Sequence, residues 1–305
     1  MAQAYDAIIA TIVVASNATS VTKAMVKSTQ WRAGTSGTWL STDCTLTAGN
    51  TYQFRTPLSG MSSSYTAVLP NIKASVTVAW DTSATAISTV GDYFMYAYAM
   101  TCSSLTSLGV PDTSGLTSAG IYFMRNCAYN CSSLTSLGVP DTSGITSVGD
   151  DFMASYAYGC SSLTSLGVPD ISGITSAGDF FMTFYAYNCS NLTSLGIPDT
   201  SAITTVGTNF MYNYCNSASL RKLILPISTG WFESHNISWG IPSTVLGLLK
   251  GLTYSSASQT AWQDLTVSGK TLYTNYIQSS DDIILVVESG PIIGVKYPLP
   301  PFKRP

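Results

Sequence analysis

Two chemistries are suggested by spacing alone. Cys102, Cys131, Cys160 and Cys189 recur every 29 residues, and Asp112, Asp141, Asp170 and Asp199 recur at the same interval. A row of thiolates could bind a soft metal or cross-link, and a row of carboxylates could hold calcium. Side chains stacked in register point parallel, however, whereas a disulfide needs a specific approach of the two Cβ atoms. The cysteine count of seven is odd, which argues against a disulfide framework. The column therefore reads as a ladder of small buried thiols. Cys127, which replaces the Tyr of its own column, reads as core as well. Each Asp opens a "DTSG"-type turn, where its carboxylate can accept the turn's own N–H groups. Calcium repeats usually bring more than one acid per unit, and this one does not.

The remaining candidates are weaker. The single histidine, His235, lies far in sequence from any cysteine pair, so zinc has no ligand set. Glu233, Ser234 and His235 are adjacent and do not converge on one atom, and no G-x-S-x-G elbow occurs. "SGKT" at 268–271 would need a Gly at 264, which is Asp. No catalytic residue, metal or cofactor is expected.

The elements that carry these columns are internal repeats. "CSSLTSLGVPDTSG" occurs at 102–115 and again unchanged at 131–144, then with small edits at 160–173 and 189–202. A fixed period of this length marks stacked units that bury one continuous core. Leu105, Leu134, Leu163 and Leu192 align, as do Leu108, Leu137, Leu166 and Leu195, followed by Val110, Val139, Val168 and Ile197. This is an L-x-x-L-x-L pattern, with a short strand ended by Pro. In "SVGDDFMASYAYGC" (147–160), Phe152, Met153, Tyr156, Ala157 and Cys160 fall on one face of a helix. The Phe and Met columns barely change between units. The column of Tyr96, Arg125, Ala154, Thr183 and Tyr212 does change, which is the behaviour expected of an exposed face.

The unit "SLTSLGVPDTSGITSVGDDFM…C" resembles the BspA-like leucine-rich-repeat surface protein family across residues 85–226. It departs from that family in unit length, and its last unit loses register at Ala218. The resemblance implies adhesion or recognition on an exterior surface rather than catalysis. The expected fold class is a mixed α/β leucine-rich-repeat solenoid of 29-residue strand-turn-helix coils with an N-terminal β-sandwich-like domain.

The flanks differ from the repeats. Residues 1–84 hold strand-like runs such as "AIIATIVVAS" and "ASVTVAW" between turn residues, and read as a β-rich domain. The start lacks a basic n-region and carries Asp6, so it reads as a strand rather than a signal peptide. Residues 227–289 read as closing coils, and 290–305 as a proline-rich extended tail. No apolar run is long enough for a membrane-spanning helix. Residues 85–220 contain one basic residue, Arg125, against eight Asp, which excludes phosphate-driven nucleic-acid binding.

Two functional expectations follow. The first is a recognition or adhesion protein on a cell or virion exterior, whose partner is a protein or glycan on another surface. Its contacts would lie on the convex helix face at Tyr93, Tyr96, Tyr122, Arg125, Asn126, Asp151, Phe180, Phe184 and Tyr212. The second is a structural assembly subunit joined to copies of itself through the N-terminal domain or the tail. Its packing plate would be the flat concave face of Ser107, Gly109, Ser136, Gly138, Ser165, Gly167, Ser194 and Gly196.

Overall fold

The computed structural model describes residues 7–26, 28–58, 66–81, 87–196, 198, 200 and 202–216, with the short strands at 222–224, 252–253, 266–267 and 270–271. The expected closing coils (apart from those last three strand segments), the tail, His235 and Asp199 lie outside the described residues.

The N-terminal region follows period-two patterning. Its strands are β1 (Ala7–Val14), β2 (Val21–Lys23), β3 (Gln30–Ala33), β4 (Cys44–Leu46), β5 (Thr51–Pro57) and β6 (Ala74–Asp81). In β6, Ala74, Val76 and Val78 are buried while Ser75, Thr77 and Ala79 are exposed, the alternation of a half-buried strand. Strands β3, β5, β1 and β6 form an antiparallel sheet, and β2 pairs with β4. β6 then pairs in parallel with the first repeat strand, β7 (Ser107–Leu108), which pairs with β9 (Ser136–Leu137).

Each repeat contributes two such minimal strands, and the third and fourth repeats a further one each. β8 (Ser118–Ala119) pairs with β10 (Ser147–Val148), β11 (Ser165–Leu166) with β14 (Ser194–Gly196), and β12 (Ser176–Ala177) with β15 (Thr205–Val206). β13 (Ala186–Tyr187) pairs with β16 (Cys215–Asn216). β17 (Lys222–Ile224) adds to β14, and β18 (Leu252–Thr253) adds to β17. β19 (Thr266–Val267) and β20 (Lys270–Thr271) form an antiparallel pair, which is where the "KT" of the failed phosphate-loop match lies. The repeat pairings from β7 to β16 are parallel and join residues 29 apart, so equivalent residues stack layer upon layer. Both strand ladders pause at one boundary: β9 does not pair with β11, nor β10 with β12.

The expected leucine-rich-repeat solenoid is not what forms. Among the described residues there is no α-helix; the segments read as helices are runs of overlapping turns. In the first, Tyr96 N donates to Tyr93 O, Tyr98 N to Met95 O, Met100 N to Ala97 O and Cys102 N to Ala99 O. Alternate residues at the start of each run have positive φ, Tyr93 (62°), Met95 (51°) and Ala97 (51°) in the first, and the later layers repeat the pattern at Asp151 (59°), Met153 (50°) and Ser155 (55°). That conformation costs an L-residue about 1–2 kcal/mol. It turns alternate N–H groups out of the layer toward a neighbour. Ala97 N donates to Arg125 O and Ala99 N to Cys127 O, while Met124 N reaches back to Phe94 O, at 2.9, 2.8 and 2.7 Å. A helix would spend those groups within itself.

Inside the stack, identical rings lie over one another. Trp80 of β6 stacks on Phe94 at 5.5 Å, and Phe94, Phe123, Phe152, Phe181 and Phe210 continue at steps of 5.2 Å. Trp80 and β6 thus stand in for the layer that precedes the first repeat. The loop at 66–72 also covers that end: Val68 N and Leu69 N both donate to Tyr98 O, and Asn71 Oδ1 accepts Ser104 N.

Ser155→Gly separates the two backbones by sign. At φ 55° the change should raise stability by about 1 kcal/mol. In a helix it would lower it by roughly 0.5 kcal/mol. The midpoint of urea unfolding measures which.

Candidate functional site

The cysteine column is buried and tied down. Cys102 Sγ donates to Leu69 O at 3.3 Å, and Cys131, Cys160 and Cys189 donate to Ala99, Ala128 and Ala157 O at 3.0 Å each. No disulfide joins any of the seven cysteines. Burial pushes the Cys102, Cys127 and Cys189 thiols up to about 12, and raises Cys131 and Cys160 as well. Such thiols stay protonated at neutral pH and are poor nucleophiles and poor metal ligands.

The aspartate column caps its own turns. Asp112 Oδ1 accepts Ser114 N at 3.0 Å and Ser114 Oγ at 2.7 Å; Asp141 holds Ser143 with the same geometry, and Asp170 accepts Ser172 N at 2.9 Å. Among the described residues, no three His, Cys, Asp or Glu side chains gather as a metal site. A second set of aspartates, not singled out in the sequence, staples layers together. Asp92, Asp150 and Asp179 accept the backbone N–H of Ile121, Asp179 and Thr208, at 3.0, 2.9 and 2.6 Å.

The residues expected on a convex helix face fall into separate groups on the turn runs. Tyr93 and Tyr122 stack at 5.0 Å, with Tyr96 packed against both. Arg125 lies 5.3 Å over the Tyr122 ring and pairs with Asp151 at 2.9 Å. This group is largely spent on itself. Tyr96 and Asp151 are buried rather than outward, because positive φ at alternate residues redirects their Cα–Cβ bonds. Asn126 is half-buried beside them.

Phe184 and Tyr212 belong to a different cluster. Tyr129, Tyr158 and Tyr187 form a half-exposed stack with ring spacings of 4.6 and 5.3 Å. Phe184 meets Tyr158, Tyr187 and Tyr212 edge-on at 6.2, 5.2 and 5.8 Å. Tyr212 is 45% exposed, and Phe180, in the same turn run as Phe184, is 40% exposed. The sequence reading passed over Tyr129, Tyr158 and Tyr187. Their signal was the last Tyr of "YAY" at 156–158 and 185–187 and of "CAY" at 127–129, which a helical wheel assigns to solvent.

The expected plate also has a wider setting. Ser107 and Ser136 align with Ser75, and Ser75 with Val13, so the outer face of the six-stranded sheet runs from the N-terminal region into the repeats. Ser165, Gly167 and Ser194 lie on the next sheet and are exposed or half-buried, while Gly196 is buried; Gly109 and Gly138 are half-buried. At the far end of that face Arg32 and Arg55 lie 4.3 and 4.6 Å from the centroid of the Trp39 ring, a grouping with no signature in the sequence.

Comparison with protein-family models, with curated proteins and with solved structures finds no match to this chain.

The two kinds of carboxylate should titrate on opposite sides of 3.8. The Ser114 hydroxyl, then its N–H, holds Asp112 below that value; burial raises Asp151 above it, partly offset by Arg125. Asp112 contributes stability that is present above its unfolded pKa and lost as pH falls through the lower folded value. Asp151 does the reverse, costing stability as pH rises from 3.8 through its folded value. Carboxyl chemical shifts followed by NMR should show the split, and Asp112→Asn should flatten only the acid limb.

Proposed function

We propose that this chain is a non-enzymatic recognition protein of a cell or virion exterior, binding a protein or glycan partner through the aromatic cluster of Tyr158, Phe184, Tyr187 and Tyr212. One observation carries the reading. These rings lie together, Tyr212 45% exposed and Tyr158, Phe184 and Tyr187 half-buried beside it, with no ion pair among them. Rigid aromatic side chains bury area at small entropic cost and dominate contact energetics. Their backbone is pinned to the layers on both sides, so the cluster is held ready before any partner arrives. The resemblance of the repeat unit to BspA-like surface proteins supports the same role, although the strand-turn-helix coil of that resemblance is absent.

A second reading is favoured by a separate observation. The small-residue face through Val13, Ser75, Ser107 and Ser136 is continuous across the N-terminal region and the repeats, and a flat face of this kind suits packing against another copy. In that reading the chain is an assembly subunit.

Phe184→Ala combined with Tyr212→Ala should reduce capture by the glycans or cells that the intact chain binds by at least tenfold. Both positions lie outside the buried core, so Tm should hold within a few degrees. Unchanged capture would remove the aromatic cluster from the reading. Light scattering on the full chain and on a version ending at Ser289 separates the assembly reading: a defined oligomer supports it, and a monomer in both removes it.

A further inference from the structure

The outer face of the six-stranded sheet is charged unevenly from one side to the other. Its strands lie in the order β3, β5, β1, β6, β7 and β9. On the β3 side stand Arg32 and Arg55. Arg55 pairs with Asp81 at 3.5 Å, whereas Arg32 donates to Gln53 Oε1 at 2.9 and 2.6 Å and meets no carboxylate among the described residues. Two arginines against one aspartate leave a surplus of positive charge there. On the opposite side the repeat strands β7 and β9 run out into Asp112 and Asp141. Both are exposed, and neither has a basic partner among the described residues.

Strand register sets the two ends at nearly one height. Arg55 is level with Ile9, and Ile9 with Ala79. Ser75 is level with Ser107, which brings Asp112 level with Trp80, one residue beyond Ala79. Between the ends the face is uncharged. Its middle carries Thr11 level with Thr77, and Val13 level with Ser75, and Val13 is 52% exposed. A flat, small-residue surface with opposite charges at its two sides is complementary to itself turned around.

We propose, resting on the assembly reading above, that this face pairs with the same face of a second copy about a two-fold axis parallel to the strands and midway between β1 and β6. The axis follows the midline of the six strands. It lays β3 over the second copy's β9, β5 over its β7 and β1 over its β6. Arg55 then faces the second copy's Asp112, Arg32 faces the corner of its Asp141, and Val13 is covered by its β6. Each contact occurs twice, because a two-fold interface is isologous. An axis across the strands would set arginine against arginine instead. Six strands about 4.8 Å apart and five residues tall at about 3.3 Å cover roughly 400 Å² on each copy. That is a small interface, so the pair is weak and its charges select the orientation. It closes at two copies and dissociates as salt rises.

Sedimentation equilibrium of the full chain tests this. A monomer–dimer equilibrium is expected at low ionic strength, with Kd rising about tenfold or more at high ionic strength. Arg32→Gln should weaken the dimer about fivefold, and so should Asp112→Asn combined with Asp141→Asn, which keeps the turn acceptors. The chain carrying all three changes should be no weaker than either, because each set has already lost its partner. Cross-linking reads the axis directly. Thr77→Cys lies beside it and should be joined to its own copy by a short bismaleimide. Ser136→Cys lies about 24 Å from its copy and should not. Both positions are exposed and the native thiols are buried, so these two variants carry the test even if the Asp changes disturb their turns. A monomer under every condition overturns this proposal and the assembly reading together. An oligomer indifferent to these charges, one that grows beyond two copies, or one that cross-links through Ser136→Cys and not Thr77→Cys, overturns this proposal and leaves the assembly reading in place.

Discussion

The repeat stack depends on one relation, the hydrogen bond from a residue to its counterpart region 29 positions away. Within a layer there is little to hold a shape: strands of two or three residues and turns whose φ values are unfavourable for the residues they contain. Stability comes from between the layers. Alternate backbone N–H groups leave their own layer, thiols and threonine hydroxyls follow them, and rings stack on rings. Thr113 and Thr142 each donate to the next layer's Asp carbonyl, and Thr135 and Thr193 to the preceding layer's Thr carbonyl. A residue is therefore constrained chiefly by the identity of its copies, which is why the columns are so uniform.

That uniformity was legible in the sequence, and so was the invariant part of the buried set, but Tyr96, Ala154 and Thr183, expected on an exposed face because their column varies, are buried as well. Phe152, Met153, Tyr156, Ala157 and Cys160 are all fully buried, as their conservation between repeats suggested. The backbone that buries them was not legible, for a definite reason. Overlapping turns that advance by two residues place side chains inward in pairs every four positions. Over nine residues that pattern and the 3.6-residue period of a helix select the same positions. Composition offered one discriminating column, Asn130, Gly159 and Asn188, all tolerant of positive φ. It precedes the Cys, where a helix would place its C-cap, and so it supported either backbone. Nothing about Tyr93 or Phe180 announces a positive φ, because such residues seldom adopt it; neighbouring layers impose it on them.

The junction with the N-terminal region was equally hidden. β6 has no sequence likeness to a repeat, yet it serves as the first layer's strand, with Val76 beside Leu108 and Trp80 under Phe94. Shape and hydrogen-bonding edge suffice for that role. A stack of repeats exposes a raw edge and a bare ring at its start, and an unpaired edge invites association. Here the antiparallel sheet ends in a strand that covers both. The aromatic cluster on the turn runs and the small-residue face of the sheets are accordingly lateral, away from the covered end.

The pause in both strand ladders between the third and fourth layers bears on how the protein would respond to tension. Across that boundary the turn runs remain bonded, Ser155 N to Thr183 O at 2.7 Å and Ala157 N to Tyr185 O at 2.9 Å, while neither strand pair is joined. A tether fixed at one end and loaded at the other would concentrate strain at its least cross-linked seam. The stack would flex there first, pivoting on the turn side and gaping on the strand side, before any layer lost its own fold. Extension would then be stepwise, a compliant joint between two stiff blocks.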